Sequence, residues 1–424
     1  MKKLISILCV ALMCSQGFAQ NEENSFSLGV QLRPRAEYRN GAFFPLTDEI
    51  DPVGFINNRA RISMEYSREK LSLGVSAQHV GVWGQDPAAD MNGRFMLNET
   101  WATIAPGGGF FFKLGRQSLA YDDERMLGMS DWNMSGRFHD ALKMGFENTQ
   151  NKLHFILAFN QNSDKQSGGT YYAPGGQPYK TMQTIWYQHT ESKLFNISFL
   201  LMNLGMETGS VQETNVKYTQ TFGTNISIQP NAFQLYGTFY YQAGKTVVDR
   251  RISAFMGAIN ASYQMNPAWK IIAASDYLSG DDVNNMDKYK AFNPLYGTNH
   301  KFYGTMDYFY ASSFINGLNP GLWDNQLGVS FKASPTVTLA LNYHHFQTTT
   351  DVYVANEKQS RALGSEWDFQ LTWNVMKDVT LTGGYSTMFG NDAMKAVKGG
   401  DPSRWQDWTW LSLNINPKVL ITKW

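Results

Sequence analysis

Cysteine is almost missing from this chain. Cys9 and Cys14 are the two it has, and both precede residue 20. A chain cut beyond them has no disulfide, no thiolate metal site and no cysteine nucleophile. Charge is scarce and balanced: 17% of residues are charged, 36 basic and 36 acidic. Loss of Lys2 and Lys3 with a leader leaves 34 basic residues against those 36 acidic ones. That balance does not point to nucleic acid. Beyond the first residues there is no apolar run of the roughly 20 residues that a membrane helix needs. Linkers rich in Pro or Ser, charge blocks and shifts of composition are missing too, which argues for a single domain over residues 20–424.

Catalytic signatures are also lacking. No Gly-x-Ser-x-Gly elbow and no His-Glu-x-x-His zinc helix occurs. The histidines, His79, His139, His154, His189, His300, His344 and His345, are scattered. Adjacent His344 and His345 must point to opposite faces of a strand, so they cannot hold one ion together. The expectation is no enzyme, no catalytic residue, no cofactor and no metal site. An Asp-rich segment with Asp281, Asp282 and Asp287 lacks the EF-hand spacing for calcium and suits a constriction or lid loop better.

What is present begins with a leader. Lys2 and Lys3 precede an apolar stretch from Leu4 to Met13, and Gly17-Phe18-Ala19 places small residues before Gln20. Those are the parts of a cleaved secretory signal over residues 1–19. A lipoprotein signal at Cys14 is the alternative, but Leu12 and Met13 fit poorly before a lipidated cysteine.

The chain as a whole is rich in aromatics, 14%, and in glycine, with 37 residues, nearly all of them beyond the leader. Its apolar residues recur with period two, as in a strand with one oily and one wet face. Trp367, Phe369, Leu371, Trp373 and Val375 alternate with Glu366, Asp368, Gln370, Thr372 and Asn374. Phe233, Leu235, Phe239 and Tyr241 alternate with Gln234, Tyr236, Thr238 and Gln242. Tight turns at Glu69-Lys70, Gly107-Gly108, Thr149-Gln150, Glu191-Ser192, Pro230-Asn231, Asn266-Pro267, Ser334-Pro335 and Lys377-Asp378 alternate with longer polar loops. The longer ones lie near 40–55, 84–93, 120–136, 162–180, 205–212, 244–249, 280–320, 349–361 and 390–404. Eight turns and nine loops join about eighteen strands, an even number, as a closed outer-membrane barrel requires. The expected fold is therefore all-β, a transmembrane antiparallel barrel in the outer membrane of a Gram-negative bacterium. A soluble sandwich or propeller is the competing reading. Aromatics dense at strand ends and the lack of a blade repeat weigh against it.

The stretch Leu114 to Ala141 resembles the alginate-export family of outer-membrane porins. It carries Gly115-Arg116-Gln117, Tyr121, Asp122, Arg125, Gly128, Asp131-Trp132, Gly136-Arg137 and Asp140-Ala141. A second stretch, Phe292-Asn293-Pro294-Leu295-Tyr296-Gly297 with His300 to Gly304 and Met306 to Phe309, has the same look. His139 departs from the pattern, where an aromatic such as Phe is expected. The resemblance implies an eighteen-stranded barrel and passage of an anionic polyuronate through an arginine-rich pore. It adds Arg116, Arg125, Arg137 and Asp140 as candidate pore residues.

Alternation alone selects other lumen residues. Phe26, Leu28, Val30 and Leu32 take the lipid side of the first strand, leaving Arg33, Arg35 and Glu37 inward. Arg59, Arg61 and Glu65 face inward on the second. Arg33, Arg35, Arg59 and Arg61 would form a basic stripe along one wall. Arginine suits this because its planar fork grips carboxylates and stays charged, and a ladder of it selects anions. Alternatively, these arginines pair with wall acids such as Glu37, Glu65, Glu366 and Asp368 and only stiffen the barrel. Strict alternation puts Arg116 with Phe112 and Leu114 on the oily side; either a bulge near Gly115 resets the phase, or Arg116 lies above the apolar band. Trp132 could stack on a sugar face or equally serve as a girdle or loop-packing aromatic, which is commoner. The expected partners are outer-membrane lipid, the barrel-assembly machinery and an anionic carbohydrate or other small solute. A general small-solute porin and a loop-plugged structural or adhesion barrel remain alternatives.

Overall fold

The computed structural model describes residues 23–85, 95–161, 164, 179–209, 214–282 and 287–424. The expected leader over residues 1–19 lies outside these, as do parts of the loops near 84–93, 162–180, 205–212 and 280–320. One antiparallel sheet dominates, built from 20 strand segments. Lys288–Tyr289 is a two-residue edge, and Lys418–Lys423 continues the strand before it, which leaves 18 spanning strands.

These are β1 Ser25–Asn40, β2 Val53–Arg68, β3 Leu71–Val82, β4 Phe95–Gly107, β5 Phe110–Gln117 and β6 His139–Glu147. Next come β7 Asn151–Phe159, β8 Thr181–Ser192, β9 Phe195–Gly209, β10 Thr214–Ile228, β11 Phe233–Lys245 and β12 Arg251–Gln264. The last are β13 Trp269–Leu278, β14 Leu322–Lys332, β15 Val337–Gln347, β16 Ala362–Met376, β17 Val379–Gly390 and β18 Gln406–Ile415 with its continuation. Each pairs with the next, and β18 returns to β1 through Glu37↔Trp410 and Leu28↔Leu420, so no edge is left open. Closure is what lets a sheet cross lipid, because every strand N–H and C=O finds a partner.

The phase is the one alternation predicts. Val30, Leu32, Ile62, Leu73, Phe199, Phe239, Trp367 and Phe369 are exposed on the outside. Arg33, Arg35, Arg59, Gln78, Thr238, Glu366 and Asp368 are buried inside. All the short turns lie at one end, the periplasmic end by the rule of short turns inside and long loops outside.

The apolar core sits in the mouth of the barrel. Phe292, Tyr303, Met306, Tyr308 and Phe309, on the loop over 279–321, are fully buried against Phe346, Leu363, Met388 and Trp408 of the wall. Burial of one such side chain contributes about 1.5–3 kcal/mol, so several of them hold the loop inside rather than in solvent. The loop over 118–138 folds in beside it. Leu127 bridges Tyr296, and Tyr296 donates its N–H to Met126. Gly297 is required here: a Cβ would sit 2.3 Å from the Arg125 carbonyl oxygen. A short helix, α1 Asp392–Lys398, covers the rim. Asn391 caps it by accepting from the Met394 N–H, and Lys398 donates to Ser312 Oγ and the Ser313 carbonyl.

Candidate functional site: a basic wall beneath two inserted loops

Register brings the first arginines together. Arg33 lies directly opposite Arg59, and Gln31 opposite Arg61, across the β1–β2 pair. Side chains opposite one another on the same face are neighbours, and like charges so placed repel unless an anion intervenes. Asp131, at the tip of loop 118–138, is that anion. Its Oδ2 accepts from Arg33 Nη1 and its Oδ1 from Arg59 Nη1, both at 2.9 Å. Arg33 Nη2 also donates to the Asp131 carbonyl at 2.8 Å. Burial pushes the Asp131 carboxyl up, but Arg59 and Arg33 outweigh it and hold it below the usual range. Arg35 donates to Glu37 and to the Trp132 carbonyl, each at 2.8 Å. Arg39, which alternation places on the same face, binds Glu37 at 2.6 Å. Arg61 donates Nε and Nη2 to Gln78 Oε1 and has no carboxylate partner among the described residues.

Trp132 has both faces covered. The Arg35 guanidinium lies 3.9 Å from its ring centroid, and the His300 ring stacks at 4.0 Å. Of the two readings of Trp132, the loop-packing aromatic fits this geometry, and the ring serves as a partition. On its outer side is a cavity of about 450 Å³ reached by Arg35, Arg39, Asn57, Arg137 and Tyr310. On its inner side is one of about 410 Å³ reached by Asp131, Lys301, Gln326, Asn342, His344 and Gln370. His300 is held in place by Asp307, 2.9 Å from its Nδ1.

The other sequence-selected residues lie elsewhere. Arg125 is buried in the loop, where both Nη atoms donate to Asp276 at 2.8 and 2.9 Å and Nε donates to Asp123 at 2.7 Å. Burial alone would favour its neutral form, but Asp276, Tyr303 and Asp123 hold the proton more firmly than in a free arginine. It pins the loop to β13 and presents no donor to a passing solute, which corrects its assignment to the pore. Arg137 donates to the Gly297 carbonyl, ties the two loops together and lines the outer cavity. Burial lowers its pKa.

Arg116 and Asp140 are a second correction. They face each other across β5–β6 and form a two-fold hydrogen-bonded pair at 2.9 and 3.0 Å. The β5 register runs unbroken from Phe112 to Arg116, so no bulge resets the phase there, which leaves the other possibility, Arg116 above the apolar band. Gly115 instead takes φ +121 and lets the Thr100 carbonyl approach to where a Cβ would lie at 2.3 Å. Phase is therefore kept, and Arg116 stays on the oily outer face with Phe112 and Leu114, at the extracellular end. It stacks 4.3 Å over Phe138 and lies outside the lumen.

Sequence reasoning missed a second wall, apart from the arginines along the ring of strands. Asp324 lies 2.9 Å from His344 Nδ1, and Asp368 lies 3.5 Å from His344 Nε2. With Asp276 and Glu366, they make an acidic face on β13–β16. Alternation marked Glu366 and Asp368 as inward. It gave no sign that they and the arginines occupy separate walls.

A closed barrel of 18 antiparallel strands, oily outside and polar inside, with loops folded into the mouth, is the architecture of an outer-membrane porin. The alginate-export family pattern matches residues 25–404, and the chain belongs to that family. Solved structures agree in fold. Acinetobacter baumannii OccAB1 has a TM-score of 0.63 at 12% identity, over 96% of this chain and 99% of that one. Pseudomonas aeruginosa OccK2 (OpdF), solved in complex with glucuronate, gives 0.60 at 12%, over 96% and 100%. The outer-membrane protein opdK of Pseudomonas aeruginosa gives 0.60 at 10%, over 96% and 100%. No curated protein matches the sequence. Family and fold are those of outer-membrane transport porins, not of enzymes.

Proposed function

We propose that this protein is a diffusion channel for small solutes bearing a carboxylate, sugar acids foremost, and that the arginine wall of β1 and β2 is their path. The observation that carries this reading is the set Arg33, Arg35, Arg39, Arg59 and Arg61 on one inner wall, with Glu37 and Asp131 as its directly bonded carboxylates. A surplus of fixed positive charge in a narrow wet lumen raises the local concentration of anions. Many weak sites let the solute leave as well as enter. The glucuronate complex of the structurally similar OccK2 supports the choice of a carboxylate-bearing sugar. Asn57, Gln31 and Gln78 on the same wall supply amide groups suited to hydroxyls.

The test is the reversal potential of single channels in a salt gradient. The unmodified protein should favour anions, and Arg59→Ala with Arg61→Ala should shift the potential toward zero. An unchanged potential in the double variant would refute the arginine path and leave a general small-solute porin. A second reading, a barrel held shut by its loops, is favoured by the Trp132–His300 partition between the two cavities. It predicts no conductance at all.

A further inference from the structure

Asp131 is an unusual partner for the arginine wall, because it does not belong to the wall. It arrives on a loop whose body is fastened elsewhere. Arg125 is clamped to Asp276, and Asp122 accepts from Ser198 Oγ and Trp186 Nε1 on the far strands. Between that anchorage and the wall, the tip reaches across to place one carboxylate between Arg33 and Arg59. The Asp131 side chain is still 54% exposed, whereas those of Arg33 and Arg59 are 11% and 1% exposed. The arginines form the built part of the site, and the carboxylate is the accessible part.

Donors are left over around it. Arg33 Nε is buried with no partner among the described residues. Arg61, beside this pair, bonds Gln78 amide oxygen alone. Guanidinium groups bind carboxylates best through two parallel bonds, and Asp131 engages each arginine through a single side-chain oxygen. A free carboxylate, not tied to a loop, can adopt the two-pronged geometry that the tethered one does not.

We infer that Arg33, Arg59 and Arg61 form a binding site for a free carboxylate, and that Asp131 is its built-in occupant, displaced by an incoming solute. The class of ligand is a sugar acid or similar carboxylate. The inference rests on the proposed path for such solutes along this wall. Trp132 adjoins Asp131, so release of the tip also disturbs the partition between the two cavities. A tethered carboxylate acts as a competitor at an effective concentration in the millimolar range. The site is therefore kept satisfied when no solute is present and yields when solute accumulates.

The experiment is a titration of the purified full-length protein in detergent with sodium glucuronate, followed by tryptophan emission, with glucose as the uncharged control. Glucuronate should give a saturable change and glucose none. Asp131→Asn should bind glucuronate about tenfold more tightly, Asp131→Glu should restore the original affinity, and adding Arg59→Ala to Asp131→Asn should abolish the gain. Heat-modifiable migration on a gel shows that each variant still forms the barrel. Asp131→Asn binding no tighter than the unmodified protein, or an equal response to glucose, would overturn the inference. Binding is read without ion flow. A channel that conducts anions while Asp131→Asn leaves the affinity unchanged sinks this inference alone, and a barrel that never conducts sinks the channel reading.

Discussion

Asp122 lies in the wedge between loop and wall, where its carboxylate accepts from Ser198 Oγ at 2.5 Å and Trp186 Nε1 at 3.1 Å. Burial raises its pKa from 3.8 to about 6, against the help of those two donors. A raised carboxyl pKa means the docked loop binds the proton more tightly than the free loop. Docking stability from this group is complete below pH ~4 and is lost as pH rises through 6. Tryptophan emission should then show a transition centred near pH 6 that disappears in Asp122→Asn. An unaltered titration in that variant would contradict the assignment. At this scale the sequence was readable where a residue sits on a regular strand. Arg33, Arg35, Arg59 and Arg61 were located inward by counting in twos, and the same count put Arg116 outward, where it is found. The family pattern argued otherwise for Arg116 and Asp140, because a conserved-looking motif carries no phase. Asp131 as the partner of Arg33 could not be read, since the two are 98 residues apart and no periodicity links a loop to a wall.

At the scale of elements, the loop over 118–138 decides how open the lumen is. Its hold depends on a buried ion pair, Arg125 with Asp276. Two charges in a dry place are not strongly stabilising as a pair, but removing the arginine leaves Asp276 buried without its partner, at a cost of about 3–5 kcal/mol, whereas Arg125 still has Asp123 when Asp276 is removed. Residues 20–424 contain no cysteine, so in a protein starting there Ser130→Cys gives a single reporter on the loop. Arg125→Met should speed its labelling by a charged maleimide at least a hundredfold, as that cost implies. Replacing both partners, Arg125→Met with Asp276→Leu, should speed it much less. Equal labelling rates in all three proteins would show that the pair does not hold the loop. The turns at 149–150, 230–231, 266–267, 334–335 and 377–378 were legible, since Pro, Asn and Asp punctuate the chain in or beside them. The internal packing of the long loops was not. Phe292, Tyr303, Met306 and Phe309 do not alternate in twos, and the spacing of the last three belongs to no helix, yet they build the core of the mouth.

For the whole molecule, the alternating pattern and the even strand count lead to one answer, because lipid tolerates no open sheet edge. The 18 strands, their phase and the placement of long loops at one end all follow from that constraint. What the chain pattern could not supply was the division of the lumen into a basic wall on β1 and β2 and an acidic wall on β13–β16, which depends on where closure of the ring sets strands distant in sequence. That division underlies the central claim that the interior favours negatively charged solutes. Liposome swelling measures it most directly. The reconstituted protein should admit sodium glucuronate faster than glucose, a neutral sugar of nearly the same size. Equal rates, or faster entry of glucose, would contradict the account.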